Sequence, residues 1–383
     1  MKKVDEIRIL RSKEEISTIK EFWHQMNIHA NTDPTVAELI LETRQNGLGL
    51  VVFAAFVNEK PGCLLICRIE KVRISTKFGL AYVRTLPVTC LYVLHKGLIG
   101  DTRYAPVLIK KMMNSLGILS VHVVHFGMVD VDEELFRMAK RASPKFRLPV
   151  TNRREAHWKM QFPPSIESFY GRFSSKHRYN LRRLSRRMEK EYPNRLKTVF
   201  YNSEEKIGDM FSLVEKVAAE TYHRKIGVGF VANEEQRSLL LARAKRQWMI
   251  TVVLLLDDEP ICFWIATIYK HVLYLHHTGY KDQYRNFNVG IMLLLSLFEK
   301  AIEVDNHIYM VDFGYGDADY KRTFGTELHH EETVLVFSSK FLAGIENFIQ
   351  FSLNGISTLI DRVVMVLGVR EKLKFWRRKK LSK

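Results

Sequence analysis

A chain of 383 residues exceeds one ordinary hydrophobic core and predicts two domains, which its 46% hydrophobic and 11% aromatic content can fill. Lys and Arg number 59 against 42 Asp and Glu, and the net charge of +17 favours an anionic partner: a nucleotide cofactor, nucleic acid, a membrane surface or an acidic polymer. The four cysteines, Cys63, Cys67, Cys90 and Cys262, have no C-x-x-C spacing and read as reduced core thiols.

The charged N-terminus, MKKVDEIRILRSKEE, lacks the apolar core of a signal peptide, and no stretch before residue 340 is both long and uncharged enough to span a bilayer. A cytoplasmic location is expected. Apolar residues at helical spacing predict a helix over Lys13–Met26, and apolar runs predict strands at Leu48–Val57 and Cys63–Lys71 about the turn Asn58–Gly62. A helix at Ala105–Ser115, a strand at Ile118–Phe126, a helix at Glu133–Arg141 and a strand at Trp158–Phe162 complete a first half of mixed sheet flanked by helices. No arginine-and-glycine turn followed by a buried helix occurs there, so no cofactor site is expected in it.

Pro163-Pro164-Ser165 introduces one long predicted helix that runs to Tyr192. Ile166, Phe169, Phe173, Leu181, Leu184 and Met188 make its apolar stripe; Arg172, Lys176, Arg183, Arg186, Arg187 and Lys190 load the other surface, as either a solvated face or a polyanion site. Lys176 and Arg178, with Ser174 and Ser175, are the expected ligand contacts, placed in the middle of that helix. A strand at Leu196–Tyr201 and helices at Lys206–His223 and Glu234–Trp248 follow. Then comes a meander, Ile250–Leu256, Ile261–Tyr269 and Val272–Tyr280, turning first at Asp257–Pro260.

The meander delivers the chain into Arg285-Asn286-Phe287-Asn288-Val289-Gly290, after which Ile291–Leu297 is apolar on every side and predicts a buried helix. The first turn of a helix leaves N–H groups unpartnered at the positive end of the macrodipole. Asn288 tolerates left-handed backbone and Gly290 lets a ligand approach the amides, which is the apparatus for a pyrophosphate; the same residues would also serve as a plain strand-to-helix turn. A strand and the glycine-rich DFGYGDADYK come next, bringing Asp312, Asp317, Tyr320 and Lys321. Gly314-x-Gly316 lacks the third glycine of a dinucleotide fingerprint, and His329-His330-Glu331-Glu332 alternates faces on a strand, so no metal is expected.

In this order, an R-x-x-N-x-G turn (Arg285, Asn288, Gly290), a helix, a strand, and Tyr320 followed by Phe324-Gly325 resemble the GNAT acyltransferase fold. SSKHRYNLRRLSRRM followed by DFGYGDADYK is similar, more narrowly, to the CelD/BcsL-type acetyltransferases of polysaccharide biosynthesis and, more distantly, to the FemAB aminoacyl transferases. The likeness covers about residues 150–335, and it departs at Asn288, where GNAT turns usually carry glycine. It implies an α/β (α+β) fold of tandem GNAT-like mixed sheets flanked by helices: an N-terminal domain over 1–162, the acyltransferase domain over 163–338 and an amphipathic, basic tail over 339–383. It also implies acetyl-CoA as donor, with the pantetheine along the strand Val272–Gly279, which carries Thr278, and the pyrophosphate at Arg285, Asn288, Val289 and Gly290. Tyr320 matches the family's thiolate-protonating tyrosine.

For the base, Asp312 ranks ahead of His276 and Glu220; His276 and His277 point to opposite faces of their strand, so only one can meet substrate. Lys176, Arg178, Glu220, Asp317 and Lys321 are the expected acceptor contacts, Asp317 serving otherwise as a helix cap. The expected activity is acyl transfer to an amine or hydroxyl of a small molecule or sugar. The alternatives are a transferase using aminoacyl-tRNA, which would be its one nucleic-acid partner, and a non-catalytic protein that binds a polyanion or membrane. In the tail, Leu342, Ile345, Ile349, Leu353 and Ile356 line one face and predict a helix. It either docks on its domain or lies on the anionic inner surface of the membrane through its basic end.

Overall fold

The structure, a computed structural model, describes residues 4–43, 47–78, 81–151, 154–221, 224 and 229–366. The chain divides into two compact units: one takes the sequence up to Glu155 and the stretch that begins at His330, the other takes Ala156–His329.

The first unit opens with β1 (Glu6–Leu10), α1 (Lys13–Ser17), α2 (Lys20–Met26) and α3 (Pro34–Thr43). The single helix expected over Lys13–Met26 is two, because Thr18 closes α1 by donating its hydroxyl to the Glu15 carbonyl. A meander of β2 (Gly47–Val57), β3 (Lys60–Phe78) and β4 (Ala81–Gly100) follows. Sequence periodicity does not show β4, since Arg84, Pro87 and Lys96 interrupt its apolar alternation. After it come α4 (Ala105–Ser115), β5 (Val123–Asp130), α5 (Glu134–Arg141) and the two-residue β6 (Val150–Thr151). The pairs from β1 to β4 are antiparallel, whereas β4 and β5 run parallel over Cys90–Val93 and Val123–Phe126. All four cysteines are buried and free, three of them in this unit.

The second unit begins at β7 (Glu155–Gln161), α6 (Ile166–Gly171), α7 (Ser175–Glu191), β8 (Leu196–Tyr201), α8 (Ile207–Glu220) and α9 (Glu234–Lys245). The one long helix expected from Ser165 to Tyr192 breaks at 172–174, where Ser174 caps α7 by accepting from the His177 amide. The predicted meander is present as β9 (Met249–Leu256), β10 (Glu259–Tyr269) and β11 (Val272–Tyr280). Two-residue turns join its hairpins, Asp257-Asp258 and Lys270-His271, with positive φ at all four residues as right-twisted strands require. Then come α10 (Val289–Val304), β12 (Met310–Tyr315) and α11 (Asp319–Phe324). Strands β8 to β11 are antiparallel, β11 and β12 are parallel, and β7 closes the far side of β12.

Both units therefore follow one plan: four antiparallel strands, a helical crossover to a parallel fifth, and a closing strand drawn from the other half of the sequence. In the first unit that closing strand is β13 (Glu327–Phe337), antiparallel to β5, and α12 (Phe341–Val366) follows it. The units are consequently not the contiguous segments 1–162, 163–338 and 339–383. Of the tail, Phe341–Val366 is a helix of the first unit and 367–383 lie outside the described residues; of the row Leu342, Ile345, Ile349, Leu353 and Ile356, Leu342 packs on the unit but Ile345 and Ile356 are exposed, while Glu346, Asn347 and Gln350 are buried.

In the second unit one face of the sheet packs on α6, α7 and α10, and the other on α8 and α9. Helix α10 buries Met292, Leu293, Leu294, Leu295, Leu297 and Phe298, so its expected burial holds on nearly all sides. The buried α10 is what fixes the position of its own N-terminus at the site.

Candidate functional site

The parallel pairing of β11 with β12 covers Val272–Tyr274 and Met310–Asp312 and stops there, so the two strands are not laddered from Leu275 onward. At Tyr280 the chain turns through a short 3₁₀ segment, Asp282–Phe287, into Asn288, whose φ of 54° and ψ of 39° are left-handed. Ile291 and Met292 donate to the Asn288 carbonyl, which leaves the amides of Val289 and Gly290 as the orphan donors of α10. A Cβ on Gly290 would meet only the Tyr280 ring, at 3.5 Å, so the space over these amides is open. Cations gather there: Arg285 is exposed, and Arg187 of α7 donates to the Asn286 carbonyl at 3.1 Å while lying over Phe287. This turn fits an anionic group, and Asn288, glycine in the usual pattern, supplies the left-handed conformation itself. The Thr278 hydroxyl is engaged with the Phe263 carbonyl at 3.0 Å.

Register places Thr267, Tyr274, Asp312 and Lys159 in one row across β10, β11, β12 and β7, hence on one face. His276 joins the row through the Thr267 hydroxyl at 2.8 Å, as the extra residue of a bulge opposite Ile265 and Ala266. His277 turns the other way onto Phe230, and burial lowers its pKa to about 4. In this row His157 donates from Nε2 to Asp312 Oδ1 at 2.6 Å, and the Gly314 amide donates to the same oxygen at 2.8 Å. Burial alone would raise the Asp312 carboxyl, but these hydrogen bonds and the charge of His157 outweigh it and hold the pKa at about 2. Asp312, expected as the base, is held in its ionised form against the His157 ring. Sequence reading missed His157, which lies 155 residues from Asp312 and meets it only because β7 pairs with β12.

Beyond β12, Lys321 is buried and donates to the carbonyls of Gly314 and Tyr315 at 3.0 and 2.7 Å. Burial lowers its pKa to about 8, against the opposing pull of Asp312 and Asp317. Its neighbour Tyr320 packs edge-on against Trp264 and Phe313, with ring centroids 5.7 and 6.0 Å away, so it stands on the α10 face. Trp264 in turn donates to the Gly290 carbonyl, which links Tyr320 to the helix terminus. Burial pushes the Tyr320 phenol up, so it keeps its proton at neutral pH.

The remaining expected contacts are scattered. Asp317 is held by Arg322 and Trp158, and the cap of α11 is Ala318, so Asp317 is not the cap. Glu220 pairs with Lys281 at 3.2 Å, at the far end of β11 from Asp312. Lys176 and Arg178 lie in the first turn of α7, not in the middle of a helix. The second unit's cavity of about 720 Å³, near Lys270, Lys300 and Asp305, lies at the C-terminal end of α10, away from these residues. Among the described residues no three His, Cys, Asp or Glu side chains group to hold a metal ion.

Residues 175–322 match the family described as an acetyltransferase (GNAT) domain. Three solved structures share the fold across both units. FemX is 12% identical and covers 85% of this chain and 96% of its own, with a TM-score of 0.56. L-PGS from Bacillus licheniformis is 12% identical over 90% and 97%, with a TM-score of 0.51. A conserved protein of unknown function from Bacteroides thetaiotaomicron VPI-5482 is 9% identical over 86% and 100%, with a TM-score of 0.53. No curated protein matches the chain. The matched residues, 175–322, lie in the second unit, and the solved structures share the fold of the chain. The narrower CelD/BcsL likeness has no counterpart among these matches.

Proposed function

We propose that this protein transfers an acyl group, acetyl in the simplest case, from acyl-CoA to an amine or hydroxyl of a small molecule or sugar. The observation that carries the reading is the opening of β11 from β12 directly beneath the left-handed turn and orphan amides of α10. When bound, acyl-CoA supplies an acyl group activated as a thioester. Val289, Gly290 and Arg285 would hold its diphosphate, and the free edge of β11 from Leu275 its amide-bearing arm.

The chain's own residues divide the remaining work. The His157–Asp312 pair takes up the proton of the attacking amine, Asp312 holding the ring and compensating its charge. Lys321 spends two of its three donors on backbone carbonyls and directs the third at the developing oxyanion. Tyr320 protonates the leaving thiolate from the opposite face of β12. Acid and base on two faces of one strand suit a leaving group and an acceptor that approach the acyl carbon from different sides.

Calorimetric titration of acetyl-CoA tests the placement. Wild type should bind, and Arg285→Ala should bind roughly ten-fold or more weakly, the cost of one charge-assisted phosphate contact. Equal binding by both would remove the turn from the site, and no binding by the wild type would overturn the donor. The cationic face of α7, whose Arg187 reaches the same turn, favours one second reading, an aminoacyl-tRNA donor. Retention of charged tRNA, but not acetyl-CoA, at physiological salt would select it.

A further inference from the structure

Helix α12 is amphipathic the wrong way round for a helix that packs on a domain. Beyond Ala343 and the partly buried Leu342 at its start, the side chains it buries against the first unit are polar: Glu346, Asn347, Gln350 and Ser357. Glu346 and Gln350 bond the hydroxyls of Thr85 and Thr76, Asn347 bonds the Leu148 backbone in both directions, and Asn354 donates to the Thr151 carbonyl. These bonds set the rotation of the helix about its axis, because turning the apolar side inward would strand buried polar groups of β3 and β4. The outward face carries Phe341, Ile345, Phe348, Ile356, Leu359, Val363 and Val366 at three-, four- and eight-residue spacing, with Phe341 84% and Phe348 72% exposed. Along a 26-residue helix that stripe is about 39 Å long.

Three features of the chain say what covers it. The loop that supplies the Leu148 backbone to Asn347 exposes Leu148 and, at 90%, Phe146, which stands between Lys145 and Arg147, and Arg147 packs on Gly344 of α12. The 17 residues after the helix, 367–383, carry eight Lys and Arg and a single carboxylate, with Phe375 and Trp376 among them. The carboxylates of α12 are two, and Glu346 is turned inward. An apolar stripe with cations and aromatic residues at its margin fits a bilayer interface, where the stripe enters the acyl boundary and the cations meet lipid phosphates. No helix among the described residues is long and apolar enough to cross a membrane, so the contact would lie in the interface plane.

We propose that α12 docks this protein on an anionic phospholipid surface through its outward apolar stripe, with the basic segment 367–383 as electrostatic anchor. This rests on α12, the loop beside it and the sequence of 367–383, which lie outside the described residues, and is independent of the donor assigned above. The test is sedimentation of the full chain with vesicles of phosphatidylglycerol and phosphatidylcholine, with vesicles of phosphatidylcholine alone, and without vesicles. Wild type should pellet with the anionic vesicles, weakly with the neutral ones, and less as salt rises to 0.5 M, where the Debye length falls to roughly 4 Å. The double substitution Phe348→Ser and Leu359→Ser, at exposed positions, should lower partitioning roughly ten-fold or more while helical circular dichroism and melting temperature stay at wild-type values. Equal pelleting of the two proteins would overturn the stripe's role, and equal binding to neutral and anionic vesicles would overturn the anchor's. A wild type that stays in the supernatant as a dimer, and becomes monomeric on the double substitution in sedimentation equilibrium, would assign the stripe to a second copy and overturn the proposal.

Discussion

His157 and Asp312 share a buried hydrogen bond of 2.6 Å, and in the proposed reaction they and Lys321 carry the proton chemistry. His157→Ala should lower kcat by roughly 10²- to 10⁴-fold, the range of a lost general base, with acyl-CoA affinity unchanged by calorimetry. A variant that folds and keeps its kcat would take the pair out of the reaction. Lys321 makes a separate prediction. As its ammonium is lost through a pKa of about 8, kcat should fall toward alkaline pH; Lys321→Arg should move that limb upward, because guanidinium keeps its charge. The sign for stability is opposite. The folded state sheds this proton near 8 and the unfolded chain near roughly 10.4, so between those values the unfolded state binds more protons and stability rises with pH. Thermal melts of wild type and Lys321→Met across that window check it, the wild type gaining stability relative to the variant as pH rises.

Among the elements, α10 and α12 are the instructive pair. Both are rich in apolar residues, yet α10 buries them almost all round while α12 turns several outward. Periodicity located each helix, but the side it turns to its neighbour depends on that neighbour. The hydroxyls of Thr76 and Thr85 on β3 and β4 select the polar side of α12, and no local pattern in either segment says so. Gln350→Leu should therefore destabilise, by about 1–3 kcal/mol, although it makes the helix more apolar, because it leaves the hydroxyls of Thr76 and Thr85 short of a partner. Denaturant melts would read the loss, and an unchanged midpoint would mean that the polar contacts do not hold the helix. The start of α7 at its Ser174 cap shows the same limit, since an apolar stripe that continued across Phe173 concealed a break between two helices.

For the whole molecule, the exchange of closing strands governs how the chain can be divided. Strand β7 completes the second sheet beside β12, and β13 completes the first beside β5. A chain cut between Phe162 and Pro163 should thus give an N-terminal piece that lacks β13 and α12 and a C-terminal piece that lacks β7, neither folding cooperatively alone. Co-expression of the two pieces should recover a folded complex, seen as one cooperative melt and one peak in gel filtration. A stable, cooperatively folding fragment 1–162 would count against this.

What the sequence by itself determined are the features encoded within a few residues. The meander β9–β11, the buried α10, the αL-tolerant turn at Asn288 and the Tyr320-Lys321 pair are all periodicity, turn chemistry or motif, and each stands where the sequence places it. The tertiary structure alone decided what depends on distant pairing: that His157 meets Asp312, that this contact lowers the pKa of Asp312, and that α12 shows much of its apolar side outward. The physical reason is common to all three. A side chain's pKa and exposure are set by the groups packed against it, and here those groups arrive on strands far away in the sequence.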